Sequence, residues 1–430
     1  MKVVNVRSVA VPEKLIAPFG FKGGFMSELW QIVCRIETEN AVGVGVGIQS
    51  VLWSDSEIFS SMSECDGNNL MYSVTKKALE LLVGKQGDNP IEVIDGIYPE
   101  LLVYARTISP TGNSLRETFV KNALVAVDNA LWQAYSKERG EKSLISLIPD
   151  VYRTALSYKH SKLCNIPLIS YGVSLDSVKK LLDDGAILLK IKIGFDNVGK
   201  MSKEEMLEWD KNRLREIHEI ADGYETSDTV SGKILYYLDA NGKYDTVDRL
   251  NALVDYADEI GAKERIILLE EPFDEHNKVD VSGIDVRIAA DESIHSLVDV
   301  DERIGLGYGA VTLKPIAKTL SETLKILKVA SDKGIPCFCA DLTVNPLLVE
   351  WNKNIASRIG LLPEMKIGVL ESNGEQNYIN WDKMYTYLPE GYEKSARSKN
   401  SIYTIGDEFF QSSGGIFEDS DYYSGLFGDK

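Results

Sequence analysis

The chain has 430 residues, 44% apolar and 26% charged, with 47 lysines and arginines against 65 aspartates and glutamates, a formal charge of −18. So acidic a surface repels nucleic acid and anionic membranes, which need a basic footprint. No apolar run approaches the roughly 20 residues of a membrane span. Residues 1–6 alternate like a strand and hold no signal-peptide apolar core, so a cytoplasmic globular protein of more than one domain is expected. The five cysteines (Cys34, Cys65, Cys164, Cys337 and Cys339) show no C-x-x-C spacing, which points to reduced thiols packed as small hydrophobes.

Residues 1–150 read as an α+β domain. Strands are expected at 3–11, 29–37 and 43–47, then helices at 73–83, 91–98 and 114–137. Ser114 and Glu117 have the spacing of a capping box opening the last helix. From 151 to 371 the pattern turns repetitive. Short β-rich runs recur at 154–158, 186–193, 234–238, 265–269, 286–290, 310–313, 335–340 and 367–370, most of them separated by residues at helical spacing. Strands alternating with helices imply a parallel sheet, and eight units in this length fit a closed (β/α)₈ barrel. The long segment 195–233, with a charged helix at 203–220 and a polar turn at 222–232, reads as an insertion after the second strand. In the tail, 372–430, the early part is expected to pack back on the first domain and 412–430 to be loosely held.

Catalytic groups of a barrel sit at the C-terminal ends of its strands. There the second run carries Lys190-Ile191-Lys192, with both lysines on one face. The third run ends at Asp239-Ala240-Asn241, the fourth at Glu270-Glu271-Pro272, the fifth at Asp291-Glu292-Ser293 and the sixth at Lys314-Pro315. Singly these are weak signals: Lys-x-Lys is common on exposed strands, and a strand-terminal aspartate often caps the next helix. Six charges in order at the ends of five consecutive strands are a different matter. Three neighbouring carboxylates make a hard oxygen set that selects Mg²⁺ or Mn²⁺ over zinc. Such an ion binds a substrate carboxylate and stabilises the charge left when the α-carbon loses a proton. Two adjacent ammoniums disfavour each other, which moves Lys192 toward a useful base. Lys314, four strands around the ring, faces the opposite side of the substrate.

With these residues in place, the chain resembles the enolase superfamily, in its muconate-lactonizing-enzyme-like subgroup. The resemblance rests on Lys190-x-Lys192, Asp239-x-Asn241, Glu270-x-Pro272, Asp291-Glu292-Ser293, Lys314 and the helix around Ala126–Trp132 that resembles the family's join between capping domain and barrel. It implies Asp239, Glu270 and Asp291 as metal ligands, Lys192 and Lys314 as the acid/base pair, and Lys190 as an assistant to Lys192. Asn241, Glu292 and Asp341 are expected around these groups. The mandelate-racemase-like branch uses a histidine after the seventh strand. Here Cys339-Ala340-Asp341 stands there, and the four histidines lie elsewhere: His160 reads as structural, His218 as surface.

The resemblance also implies lids over the mouth from the first domain, at 17–25 (Phe19, Phe21, Phe25) and 49–56 (Trp53). Their glycines suit motion and their aromatics exclude water, although a plain glycine-rich hairpin is the alternative for the first. Dipeptide epimerases of this group hold the substrate ammonium with an Asp-x-Asp after the eighth strand, which Glu371 and Asn373 imitate in part. The expected function is Mg²⁺-dependent racemisation or epimerisation of an amino-acid-derived carboxylate, a small molecule, by a homo-oligomer. Cycloisomerisation or β-elimination in the same site is the enzymatic alternative, and a non-catalytic barrel that binds a ligand or partner is the alternative of another class.

Overall fold

The structure is a computed structural model that describes residues 1–21, 24–197 and 199–428, with the side chains of 19–21 outside the description. Three antiparallel strands open the chain: β1 (Val3–Phe21), β2 (Gly24–Thr38) and β3 (Val42–Gln49), in the order β1-β2-β3. β1 and β2 run further than their alternation predicts, into one long hairpin arm whose register shifts between Lys14 and Phe19. The segment expected as a lid is therefore mostly paired strand. The arm is tied to the far end of the chain by a bridge between Leu15 and Tyr378.

Helix Glu117–Arg139 joins this sheet to the rest of the protein. Gly43 and Gly45 alternate along β3 because the helix backbone lies directly on them. A Cβ at Gly45 would stand 2.1 Å from the amide nitrogen of Ala130, and one at Gly43 2.0 Å from the Ala130 carbonyl. The same helix reaches the barrel: Asp128 accepts the Ser321 amide at 3.0 Å, Trp132 Nε1 donates to Ser321 Oγ at 3.1 Å, and Lys121 pairs with Glu322 at 2.8 Å. Its start corrects one expectation. The helix begins at Glu117 with Arg116 at the cap, while Ser114 closes a preceding 3₁₀ turn, so the capping box does not form.

The second sheet runs β13-β4-β12-β11-β10-β9-β8-β7-β6-β5. Its strands are β4 (Lys162–Ile166), β5 (Leu168–Ile169), β6 (Leu188–Lys192), β7 (Leu235–Asp239), β8 (Ile266–Glu270), β9 (Ile288–Ala290), β10 (Ala310–Leu313), β11 (Cys337–Cys339), β12 (Gly368–Glu371) and β13 (Ile402–Thr404). β4 and β5 are one strand interrupted at Pro167. β4 pairs with β12 and β5 with β6, so the two ends of the sheet meet and eight parallel strands close a barrel. Proline offers no amide to a neighbouring strand, and the change of partner falls at that residue. The first strand thus lies later than 154–158, which instead continues a short helix as the 3₁₀ turn Thr154–Leu156. His160 consequently precedes the strand, away from the mouth, and its Nε2 contacts the Ile359 carbonyl at 2.7 Å.

Two further expectations change. The charged helix Lys203–Ala221 is the ordinary connection from β6 to β7, buried on one face by Met206, Leu214 and Ile217. Only the following turn is extra: it bridges Glu225 to Lys233 and Thr229 to Met365, just before β12. His218 faces inward, with Nδ1 2.8 Å from the Tyr236 hydroxyl. The chain's end is packed rather than loose. Ile416, Phe417 and Tyr423 are buried, and Tyr423 donates to Gln31 Oε1 on β2 at 2.9 Å. Ahead of it, β13 lies antiparallel on β4, so the tail joins both parts of the protein. Four cysteines are buried, whereas Cys65 is exposed and fills no core position. No helix among the described residues is long and apolar enough to cross a membrane.

Removing residues 413–430 would strip Ile416, Phe417 and Tyr423 from the core, at about 1.5–3 kcal/mol for each large side chain. Since whole domains are stable by roughly 5–15 kcal/mol, the truncated chain should lose its cooperative thermal transition or unfold at markedly lower temperature. An unchanged transition by circular dichroism would mean the tail carries no stability.

Candidate active site

Pairing between the strands sets the mouth. Lys192, Asp239 and Glu270 are the last residues of β6, β7 and β8 and stand in register side by side. Asp291 and Lys314 follow β9 and β10 directly, and Glu371 ends β12. The turns beyond are tight: Asn241, Glu271, Thr319 and Thr343 all take positive φ, a costly conformation for residues other than glycine.

Beneath the mouth Lys190 is almost wholly buried. Its Nζ lies 3.0 Å from Asp239 Oδ2, 3.0 Å from Glu270 Oε2 and 3.1 Å from Glu371 Oε2, and 4.6 Å above the Tyr237 ring. Burial alone would discharge this ammonium, but the three carboxylates outweigh it and raise its pKa well above the ordinary value. Lys192 Nζ sits 2.6 Å from Asp239 Oδ2 and also donates to Asn241 Oδ1, while Asn241 Nδ2 donates to Glu292 Oε1 at 3.0 Å. Lys314 donates to Asp291 Oδ2 and lies 4.6 Å over the Trp53 ring.

The carboxylates differ among themselves. Burial would raise Asp239, yet Lys190 and Lys192 hold it well below the usual range. Asp291 is likewise drawn down to about 2 by Lys314 and Lys318 against its burial. Glu270 goes the other way: burial and the charge of Asp239 raise it despite Lys190, and the Tyr237 hydroxyl donates to it. Asp341 is pushed up to about 7 by burial and by Glu371. It accepts the Asn373 amide at 2.7 Å, and Thr343 donates to the Asn373 side chain at 2.8 Å.

One cavity gathers Lys190, Lys192, Lys314, Asp239 and Asp291 with Asn241, Glu292, Asp341, Glu371 and Asn373. The first domain closes it with Met26 from the hairpin arm and Trp53 from the helix Val51–Ser54. Phe25 does not take part, being 58% exposed, and the side chains of Phe19 and Phe21 lie outside the described residues. Sequence reasoning also passed over Lys318. Wholly buried one helical turn after Lys314, it donates to the Asp291 carbonyl at 2.8 Å, and burial lowers its pKa. Its spacing of four from Lys314 was a readable sign of a shared face. Tyr237, two residues before Asp239 on the same strand face, was readable too.

The donor types suit a hard divalent cation: three carboxylates, nearly unexposed, on consecutive strands. Asp291 Oδ1 is buried without a hydrogen-bond partner, as an oxygen reserved for an ion would be. Among the described residues no three such groups stand together as a formed metal cluster. In this arrangement the ammoniums of Lys190 and Lys314 lie against the carboxylates instead.

Fold and mouth together define a (β/α)₈-barrel protein with an α+β capping domain and a lysine–carboxylate site. Residues 174–357 match the family model described as enolase C-terminal domain-like. No curated protein sequence matches. Solved structures similar to this one include a mandelate racemase/muconate lactonizing protein from Herpetosiphon aurantiacus, at 16% identity and TM-score 0.68, covering 96% of this chain and 98% of that one. A substrate-liganded L-Ala-D/L-Glu epimerase from Bacillus subtilis aligns at 18% identity and TM-score 0.64, covering 94% and 97%. A dipeptide epimerase from Enterococcus faecalis V583, complexed with Mg and the dipeptide L-Leu-L-Tyr, aligns at 17% and 0.64, covering 96% and 99%.

Replacing Lys190 by methionine would leave Asp239, Glu270 and Glu371 buried without their shared cation. Breaking a buried ion pair from one side costs about 3–5 kcal/mol. Urea denaturation of Lys190→Met in chelator should show a loss of that size, and a loss below about 1 kcal/mol would refute the central place given to this ammonium.

Proposed function

We propose that this chain is a Mg²⁺-dependent racemase or epimerase that abstracts the proton α to the carboxylate of an amino-acid derivative and returns one to the opposite face. The observation that carries the proposal is the placement of Lys192 at the end of β6 and Lys314 just after β10, four strands apart in a ring of eight, both lining one cavity. Two opposed amines are what a two-base exchange requires. The fold shared with dipeptide epimerases supports an amino-acid-derived substrate.

Asp239, Glu270 and Asp291 would hold the ion, which when bound supplies positive charge to fix the substrate carboxylate and offset the charge built up by deprotonation. Lys192, entering as the amine, takes the α-proton as the C–H bond breaks and its electron pair passes into the enediolate. Lys314, as the ammonium, gives its proton to the opposite face. The roles exchange for the reverse direction. Lys190, held charged by its three carboxylates, stabilises the enediolate without giving up a proton. Trp53 and Met26 keep water from the carbanion, and the acidic wall of Asp341 and Glu371 favours a substrate that carries an amino group.

The test is α-deuterium incorporation by NMR in D₂O with Mg²⁺, using L-Ala-L-Glu, further dipeptides and N-acylated amino acids. General acid–base groups contribute roughly 10²–10⁴-fold. Lys192→Ala should therefore lose exchange of one epimer by at least about 100-fold and Lys314→Ala that of the other. Exchange unaffected by both substitutions would sink the two-base assignment. Separately, calorimetric titration should show Mg²⁺ binding to the wild type and its loss in Asp239→Asn. Equal binding by the two would remove Asp239 from the ligand set.

A further inference from the structure

Asp210 is a buried carboxyl for which the chemistry above has no use. It lies on the inner face of helix Lys203–Ala221, with none of its surface exposed. Both its oxygens accept the Gly194 amide, each at 2.8 Å, and Oδ2 also accepts the Tyr244 hydroxyl at 2.8 Å. Gly194 comes two residues after Lys192. There the chain leaves β6 at φ +82°, where a Cβ would also stand 2.6 Å from that of Lys243. The carbonyl of the same peptide unit, that of Ile193, accepts the Tyr171 hydroxyl at 3.0 Å, and the Ile193 amide donates to the Asp239 carbonyl at 3.0 Å. The peptide behind Lys192 is thus clamped on both edges, by Tyr171 on one and by Asp210 on the other.

We infer that Asp210 is a positioning residue for Lys192, acting through the Gly194 turn, and that its carboxylate form keeps this lysine in the geometry of proton transfer. The inference rests on the proposed function and adds a control of that same site. A carboxylate accepts from the Gly194 and Phe195 amides and the Tyr244 hydroxyl at once, through charge-assisted hydrogen bonds. Once protonated, it presents an O–H to groups that are themselves donating, and the clamp on Gly194 weakens. The charged and titratable groups around it are Tyr244 and Lys243 from the loop after β7, Tyr171 after β5, Asp196 after β6, and Arg213 on its own helix. Lys243 pairs with Asp196 at 2.8 Å, and Arg213 donates to the Val173 carbonyl. Among the described residues none of them forms an ion pair with Asp210. Burial therefore dominates and pushes the carboxyl up to about 7, with Tyr244 and the Gly194 and Phe195 amides pulling it partly back. Because the pKa is raised, the clamp is complete above that pH and is lost as the pH falls through it.

Two readouts on the full-length protein test this. The Gly194 amide, followed by ¹⁵N–¹H NMR from pH 5.5 to 8.5, should titrate with a midpoint near 7 in the wild type and stay flat in Asp210→Asn. The deuterium-exchange rate should rise through the same midpoint in the wild type, and Asp210→Asn should lack that limb. Tyr244→Phe removes one donor to the carboxylate, so its midpoint should move to higher pH; this variant also serves if Asp210→Asn does not fold. A Gly194 titration that persists in Asp210→Asn, or a midpoint unmoved in Tyr244→Phe, overturns the inference. An exchange profile unchanged in Asp210→Asn overturns it too. If the wild type exchanges no substrate, the proposed function falls, and the Gly194 titration still decides whether Asp210 governs the turn.

Discussion

Charge compensation inside the barrel mouth is the constraint on which the other features depend. Lys190, Lys314 and Lys318 are buried, and so are the carboxylates they meet: Asp239, Glu270, Glu371 and Asp291. An ion in such a place costs several kcal/mol unless it is paired and hydrogen-bonded. Each partner belongs to a different strand end, so the charges can be satisfied only when the ring closes in one register. A slip of one residue would turn Asp239 and Glu270 away from Lys190 and toward the helix layer. The site thereby makes the barrel's register specific, and the apolar strands hold the charges where water would otherwise separate them.

Closing the mouth from above is the work of the first domain, and a stripe of glycines makes this feasible. With no side chains at Gly43 and Gly45, helix Glu117–Arg139 lies against β3 at backbone distance. The other side of that helix is bound to the barrel through Asp128, Trp132 and Lys121. One helix therefore fixes the height of the capping sheet over the strand ends. Met26 and Trp53 reach the cavity as a result, and Trp53 offers its ring face to the Lys314 ammonium, an attraction that strengthens when desolvated.

Much of this architecture is legible in the sequence. Lys190, Lys192, Asp239, Glu270, Asp291 and Lys314 each follow an apolar run, and period-two and strand–helix alternation were enough to put them at one end of a barrel. The structure gathers all six. What misled was local chemistry with two solutions. Residues 154–158 are β-rich but form a turn, because the strand that closes the ring is the proline-broken 162–169. Ser114 and Glu117 have capping-box spacing, yet the helix starts at the glutamate. The charged face of Lys203–Ala221 made an ordinary barrel helix resemble an insertion and hid its buried face, where His218 and Asp210 lie. Polar composition made the tail look loose although Tyr423 and Phe417 are core residues.

The charges at the strand ends, then, were determined by the sequence alone, since an apolar run followed by a lone charge has few other readings in an alternating α/β chain. Their partners were decided only by the tertiary structure. Closure of the ring brings Lys190 the carboxylate of Glu371 from 181 residues away, and with Asp239 and Glu270 that raises its pKa. Lys318 became visible in the same way, once Asp291 and Trp53 were beside it. The physical reason is range: periodicity reports which face of its own element a residue occupies, whereas the charge state of a buried group depends on ions that arrive from distant segments.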